Sequence, residues 1–404
     1  MFRKLDIAAP GEPGCAVTGD DVMLRVPLKQ LRDGMKLALP VFHPYRPTSQ
    51  LVASGCRLQP TTVERLEELH VHDVWVHSPR LSLLSRYITP ELVLARRRLA
   101  EDICLVLDHV LAGQVPDSLD RLRSTLHELQ AIYARDRQAA VFLPCTSQGD
   151  EFLVRHAADT AVLALLTAMR LKNYIRAERR EAGLDAEGFV EKIALGAALH
   201  DIGLYMLKTG PHYPAGPDWM QNVENWQDHV TLGHEVVKPA VSDAVASVIL
   251  HHHQHYDGSG FPRSRLDHEE VSGLKGHQIP VYVRVVSAAD LFDELRFDTH
   301  LRPIPLSRVR RMLLSKKYRT WLDPLILRAL RQVTLPYPPG MRVELSNGST
   351  GYVVDYHPEH PGRPLVQTFN PEETSVHDGQ LPLYDLLRLP DLSIVEQCLP
   401  AQQP

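Results

Sequence analysis

Apolar residues recur at helical spacing through the middle of the chain and alternate with polar ones only near its two ends. Between residues 90 and 140, Leu92, Leu94, Leu99, Ile103, Val106, Leu107 and Val110 fall near the 3.6-residue repeat, which predicts long amphipathic helices. Further on, a helix is expected around Val154, Val162, Leu163, Leu166 and Met169, and a buried one over the small, apolar run Ile193 to Leu199. Ala244 to Leu250 and Val285 to Asp293 read as two more. The alternating runs are short. Val22 to Val26 and Asp73 to His77 precede the helical stretch; Arg342 to Leu345, Gly351 to Val354 and Leu365 to Phe369 follow it. Ser346-Asn347-Gly348 supplies a hairpin turn between two of them. Thr61, with Glu64 three residues on, is expected to cap a helix between the first two strands.

These patterns predict a mainly α protein in five parts. Residues 1–22, with Pro10, Gly11, Pro13, Gly14 and Gly19, read as a flexible arm; 23–80 as a small α/β module; and 81–144 as a helical connector. Residues 145–335 form an all-helical bundle core, and 336–404 a small β appendage and tail, entered through the turn-rich Leu335-Pro336-Tyr337-Pro338-Pro339-Gly340. The appendage reads as a lid or packing element. Core packing accounts for the stripe between 90 and 140, and a dimerising helix pair, hence a homodimer, is the other reading of it.

Composition narrows the class. A length of 404 residues suggests two or three domains, and 44% hydrophobic with 23% charged residues is ordinary for a folded soluble chain. A net charge of -5 offers no basic surface for a nucleic-acid polymer. The five cysteines (Cys15, Cys56, Cys104, Cys145, Cys398) have no paired spacing and read as reduced thiols. No apolar run is read as nearing the ~20 residues of a membrane span, and the N-terminus lacks the apolar core of a signal peptide. A cytoplasmic protein without a membrane span is expected, with the N-terminal module free of catalytic signals and available to protein partners.

The chemistry concentrates in the helical middle. His252-His253-Gln254-His255-Tyr256-Asp257-Gly258-Ser259-Gly260-Phe261-Pro262 sets paired imidazoles just before a glycine-rich break. Neighbours on a helix point about 100° apart, so both rings reach one cation only at a helix end or with help from other segments. His200-Asp201-Ile202-Gly203 ends the buried run at Leu199, where a histidine and an aspartate are costly unless paired or bound to a cation. His156 and Asp290 repeat the pattern. Four helices thus each carry a His or Asp on an apolar face, and a site between the helices of a bundle satisfies them together. Imidazole and carboxylate are usual donors for Zn, Mn and Fe. Residues 156 to 277 hold 11 of the 21 histidines, but not all are read as ligands: His212, His234, His251, His255, His268 and His277 are expected in solvent or in outer bonding roles. His70, His72 and His77 have no consistent spacing and are not read as a site.

The order His156, His200-Asp201, His229 with Gly233, His252-His253 with Asp257 to Pro262, then Asp290, resembles the HD-GYP domain, a subgroup of the HD-superfamily metal-dependent phosphohydrolases, over roughly residues 145 to 335. Arg284 and Arg302-Pro303 fit the same pattern. The resemblance implies an HD-type bundle with two divalent transition metals, iron or manganese, and a hydroxide between them. His156, His200, Asp201 and Asp290 would hold one metal; Asp201 would bridge to a second held by His229, His252 and His253. It implies catalytic roles for His200 and Asp201, substrate contacts from Arg302, Gly258, Gly260, Phe261 and Pro262, and cyclic di-GMP as the substrate, opened to pGpG and in some members taken on to GMP. The chain departs from the family where Leu204 replaces a lysine, Gln254 a glutamate and Phe261 a tyrosine; Lys208 is not read as substituting for that lysine. Phe152 stands where some members place a glutamate for a third metal, and Glu151 is one step off, so two metals are expected. Three functions stay open: a cyclic di-GMP phosphodiesterase, a catalytically weak metal-binding sensor or interaction module, and a phosphohydrolase of another nucleotide.

Overall fold

The computed structural model describes residues 22–31, 34–43, 46–111, 117–144, 152–181, 188–207, 226–263, 265–266, 269–270, 273–298, 302–368 and 382–395. The arm at 1–21 and Glu151, Lys208, His212 and His268 lie outside the described residues.

In the N-terminal module, strand β1 (Met23–Pro27) is followed by a hairpin of β2 (Val41–His43) and β3 (Arg46–Val52), helix α1 (Pro60–Glu68) and strand β4 (Asp73–His77). β1 and β4 are the two alternating runs expected, and they pair antiparallel with Met23 opposite His77. One element here is new and one expectation is corrected. The β2–β3 hairpin has no clear alternation and was not anticipated. Helix α1 starts at Pro60, with Gln59 at the cap position and no side-chain cap, so Thr61 is inside it. Proline's fixed φ and missing N–H suit the first helical position, and that preference outweighs the threonine cap.

The helical stretch runs α2 (Pro90–Leu111), α3 (Asp117–Arg135), α4 (Phe152–Arg170), α5 (Lys172–Glu181), α6 (Phe189–Leu199), α7 (Ile202–Met206), α8 (His229–Val237) and α9 (Asp243–His251). A two-residue hairpin, β5 (Arg265–Leu266) with β6 (Glu269–Glu270), precedes α10 (Val281–Glu294), α11 (Leu306–Met312), α12 (Lys316–Trp321) and α13 (Pro324–Val333). One apolar core runs from Leu92 on α2 to Val333 on α13. The stripe expected between 90 and 140 packs on it apart from Leu94: Leu92, Leu99, Ile103, Val106, Leu107 and Val110 are buried within their own chain. At the centre stands α4, buried from Leu153 to Met169 apart from Arg155. Its nineteen residues are long and apolar enough to cross a membrane, which corrects the expectation that no run nears that length. The apolarity serves burial, because α2, α6, α10 and α13 pack around it.

Arg284 fixes α10 against its neighbours. Its guanidinium donates to the Ile279 carbonyl at 2.9 Å, the Tyr174 hydroxyl at 2.6 Å and the Asp323 carboxylate at 2.5 Å. Asp323 in turn caps α13 by accepting from the Leu325 N–H at 2.8 Å. After α13, β7 (Arg342–Leu345), β8 (Thr350–Asp355), β9 (Leu365–Thr368), β10 (Leu383–Asp385) and β11 (Ile394–Val395) form an antiparallel sheet in the order β10-β9-β8-β7-β11. Val354 and Tyr356 belong to the core of the N-terminal module, so the C-terminal sheet packs on that module.

Candidate metal centre

The breaks between helices deliver the polar residues to one place. Helix α6 ends at Leu199, and Asp201 (φ -99, ψ 14) turns the chain into α7. Gly203 then lets α7 approach α8: a Cβ there would lie 1.9 Å from the His229 carbonyl oxygen. Helix α9 ends at His251, which places His252 and His253 just past a helix end, as their adjacency requires. His156 sits one turn into α4, and Asp290 lies on α10.

Two clusters result, one of His156, His200 and Asp290, the other of Asp201, His229, His252 and His253. Within each, the candidate ligand atoms lie within 4.8 Å of one another. Asp201 joins them: Oδ2 is 3.3 Å from His200 Nε2, and Oδ1 is 3.4 Å from His229 Nε2 and 3.5 Å from His252 Nε2. On the first side His156 Nε2 stands 3.1 Å from Asp290 Oδ1. The seven residues named from the sequence are thus brought together.

Four of the five rings are oriented from behind. His200 Nδ1 contacts the Ala197 carbonyl at 2.7 Å, His229 Nδ1 that of Trp226 at 2.7 Å, and His252 Nδ1 that of Ile249 at 2.9 Å. His156 Nδ1 meets Asp293 Oδ2 at 2.8 Å. A neutral imidazole that donates its Nδ1 proton presents a bare Nε2 lone pair, the form in which histidine binds metals. Nε2 of His229 and of His252 face each other at 3.3 Å, where two neutral rings oriented this way have no proton to share. His253 Nε2 and Asp201 Oδ1 are buried without a hydrogen-bond partner. Buried polar atoms left so are costly, and divalent cations are the partners this donor set fits.

The electrostatics divide along the same line. Burial opposes charge on every group. Even so, Asp201 raises His200 to about 10, with help from Asp290, and Asp290 and Asp293 raise His156. Asp201 is held well below the usual carboxylate range, because the charge and hydrogen bonding of His200 outweigh burial. In the second cluster burial prevails: His229 is lowered to about 4 and His253 well below its ordinary value. Glu294, one turn past Asp290, is pushed up to about 8 by burial and the Asp290 charge.

The loop after the histidine pair folds back on it. Gly258 has φ +85, and a Cβ on Gly260 would lie 2.3 Å from the His253 carbonyl oxygen. That closeness lets the Phe261 N–H donate to the same carbonyl at 3.1 Å and stacks the Phe261 ring on His253, centroids 4.7 Å apart. Gln254 donates to the Pro262 carbonyl at 2.6 Å, which ties down the loop. Asp257 takes no part in either cluster; it accepts from Ser259 N–H at 3.0 Å and Thr320 Oγ1 at 2.8 Å. Arg302 stands at the surface, paired with Asp298 at 2.6 Å. His255 stacks on Trp321 at 3.9 Å and His277 pairs with Glu178 at 3.2 Å, outside the clusters as expected.

Further side chains shape the surroundings of the clusters, and of these Trp226, Asp293 and Arg296 were not picked out from the sequence. Trp226, three residues before His229, stacks on that ring and sets its edge against His253 and Phe261. Phe152 lies parallel to His156 with centroids 6.1 Å apart. Leu204 is buried in a small apolar cluster with Leu153. Asp293, three residues after Asp290 on the same apolar helix, could have been flagged as a second buried acid, and Arg296 follows just past the helix end.

Helices that bring paired histidines and aspartates into one buried cluster define an HD domain, and the HD domain family matches residues 153–295. That match covers 143 of the 404 residues, so it is the helical middle of the chain that resembles the HD-GYP family. A KOW domain associated with HD domains matches residues 342–403. Among curated relatives, "Cyclic di-GMP phosphodiesterase PA4108" of Pseudomonas aeruginosa is 26% identical over 299 residues, 72% of this chain and 65% of that one. A "Cyclic di-GMP phosphodiesterase" of Thermotoga maritima is 33% identical over 119 residues, 27% of this chain and 28% of that one. The chain thus spans less than two thirds of these relatives. The solved structure of Bd1817, described as a HDG"Y"P protein from Bdellovibrio bacteriovorus, overlaps with a TM-score of 0.47 at 14% identity, covering 77% of this chain and 99% of that one.

Proposed function

We propose that the chain is a binuclear metal-dependent phosphodiesterase that opens cyclic di-GMP to pGpG. The observation that carries the reading is the division of Asp201, with one oxygen toward each cluster. His156, His200, Asp201 and Asp290 are assigned to one metal, and Asp201, His229, His252 and His253 to the other. Paired divalent ions, iron or manganese, would lower the pKa of water at this site and offset charge on a phosphodiester in line with it. The protein's own part is orientation. The contacts behind His156, His200, His229 and His252 hold their Nε2 atoms toward the centre, and Asp201 keeps its negative charge between the two sets. Gly258, Gly260 and Pro262 hold the loop backbone against His253, and Phe261 with Trp226 forms an aromatic rim of the kind a purine face packs on. Arg302, on exchanging Asp298 for substrate, is assigned to a phosphate or guanine edge. Both curated relatives carry cyclic di-GMP phosphodiesterase in their names, which supports the substrate class. The reading takes the protein as cytoplasmic, with the N-terminal module as its contact for protein partners.

The test is anaerobically reconstituted protein incubated with cyclic di-GMP, with pGpG and GMP resolved by chromatography. Turnover to pGpG that Asp201→Ala abolishes is the expected result; full metal loading with no product overturns the enzyme reading. One observation favours a second reading, a metal-binding sensor: Leu204, where the family has a lysine, is buried against Leu153 and brings no cation to the phosphates. Tight binding of cyclic di-GMP without hydrolysis would mark that case.

A further inference from the structure

A chain of buried charges leads from helix α2 to the ligand His156. Arg96 on α2 donates to Asp159 Oδ1 at 2.6 Å and also reaches the Leu143 carbonyl. Arg296 donates to the other oxygen of Asp159 at 2.6 Å and bonds Asp293 Oδ1. Asp293 Oδ2 stands 2.8 Å from His156 Nδ1 and accepts its hydrogen bond. Asp159, Arg296 and Asp293 are all less than 5% exposed. The Phe142 ring packs against both guanidiniums, at 5.6 Å from Arg96 and 5.1 Å from Arg296. Two arginines thus balance two aspartates, and every link is charge-assisted, the strong kind of hydrogen bond. Removing one end leaves a buried carboxylate short of a cation, and the disturbance is felt at the next link.

The same stretch of α2 faces the N-terminal module. Val93 and Leu94 pack on that module's core, and the Arg97 guanidinium lies 3.3 Å over the ring of Phe42 on β2. Adjacent arginines therefore look opposite ways, one to the module and one to the buried chain.

We propose that Arg96 is a positioning residue for His156, and that α2 thereby ties the N-terminal module to the first half of the metal cluster. This rests on the metal-binding reading above and adds a route for regulating it. The test is titration of Mn(II) into metal-free full-length protein, followed by calorimetry and by electron paramagnetic resonance of the free ion. The step lost in His253→Ala marks the second site. Arg96→Lys keeps the charge but not the fork that serves both Leu143 and Asp159. It should weaken the first site by about ten-fold, the lower end of what outer partners of metal ligands contribute, and leave the second unchanged. Asp293→Asn should weaken it at least as much, and adding Arg96→Lys to it should do nothing more. Phe42→Ala should weaken the first site in the parent and have no effect beside Arg96→Lys. As a control for lost stability, Asp102→Asn removes another buried carboxylate of α2, bonded to Thr125 at 2.6 Å, and should lower Tm with first-site affinity intact. Parent affinity in Arg96→Lys, or additive effects with Asp293→Asn, would overturn the positioning role. So would an equal loss of affinity in Asp102→Asn. A silent Phe42→Ala would overturn the module link, and a parent protein that binds no Mn(II) would overturn the metal reading itself.

Discussion

Gly203→Ala probes the crossing on which the second cluster depends. A Cβ at Gly203 would stand 1.9 Å from the His229 carbonyl oxygen and 2.8 Å from the Gly233 nitrogen. Ordinary contact begins at 3.4 Å, so α7 and α8 must part by about 1.5 Å (3.4 less 1.9). Gly233 answers from the opposite side, where a Cβ would meet the Gly203 nitrogen at 3.0 Å, so neither helix can simply slide. The obstructed carbonyl belongs to a proposed ligand, which makes the displacement act directly on His229. Metal–ligand distances tolerate only about 0.2 Å, far less than the shift required. Forcing a methyl into a packed contact costs about 1–3 kcal/mol, and each kcal/mol lowers Tm by about 2–4 °C in a domain of 150–250 residues. The expected protein melts several degrees lower and loses its second metal. Its hold on the first weakens less, because His156, His200 and Asp290 do not touch this crossing and only the shared Asp201, at the cap of α7, moves with it. Calorimetry and plasma mass spectrometry after anaerobic loading read both quantities. An unchanged Tm together with two bound metals would show that the glycine pair does not set the site.

Three further outcomes are expected. Asp201→Ala should reduce the occupancy of both metals, whereas His253→Ala should empty mainly the second; elemental analysis of the two variants separates them, and equal losses would contradict a bridging carboxylate. His200, at about 10, carries a proton at neutral pH, as does the raised His156, so a cation binding the first cluster must displace protons and its affinity should rise with pH. His229, at about 4, and the lowered His253 are already neutral there, so their cluster should release none from these rings; calorimetry in buffers of different ionisation heat counts the protons, and equal release at both steps would refute the division. Leu204→Lys should lower Tm without raising turnover, because the side chain points among apolar neighbours including Leu153; faster hydrolysis of cyclic di-GMP would show that the ammonium reaches the phosphates after all.

Much of the helical framework was legible because burial forces a period on the sequence. The run Ile193 to Leu199 had to be a buried helix, and His200-Asp201 at its end had to find partners. The β2–β3 hairpin was not legible, since Arg46 to Val52 shows no alternation. The start of α1 was misread because two first-turn signals, Pro60 and Thr61, stand side by side. Gly203 and Gly233 are single letters in the sequence, and only the crossing of α7 and α8 reveals the close approach that excludes a side chain.

The limit of sequence reasoning here is set by what burial demands. A carboxylate on an apolar helix must be neutralised, and that rule selects Asp290. Applied evenly, it also selects Asp159 and Asp293, which are buried just as deeply. The three differ only in which cation they meet. Asp290 faces Nε2 of His156 and of His200, Asp293 faces Arg296 and the far nitrogen of His156, and Asp159 meets Arg296 and Arg96. Those arginines come from positions 63 and 137 residues away from Asp159, and pairing over such separations leaves no local pattern. Sequence spacing can therefore nominate buried acids, but packing decides which of them faces the proposed metal cluster and which supports a residue that does. The roles of Asp290 and Asp293, three residues apart on one helix, divide because a turn of about 300° carries their carboxylates to different neighbours.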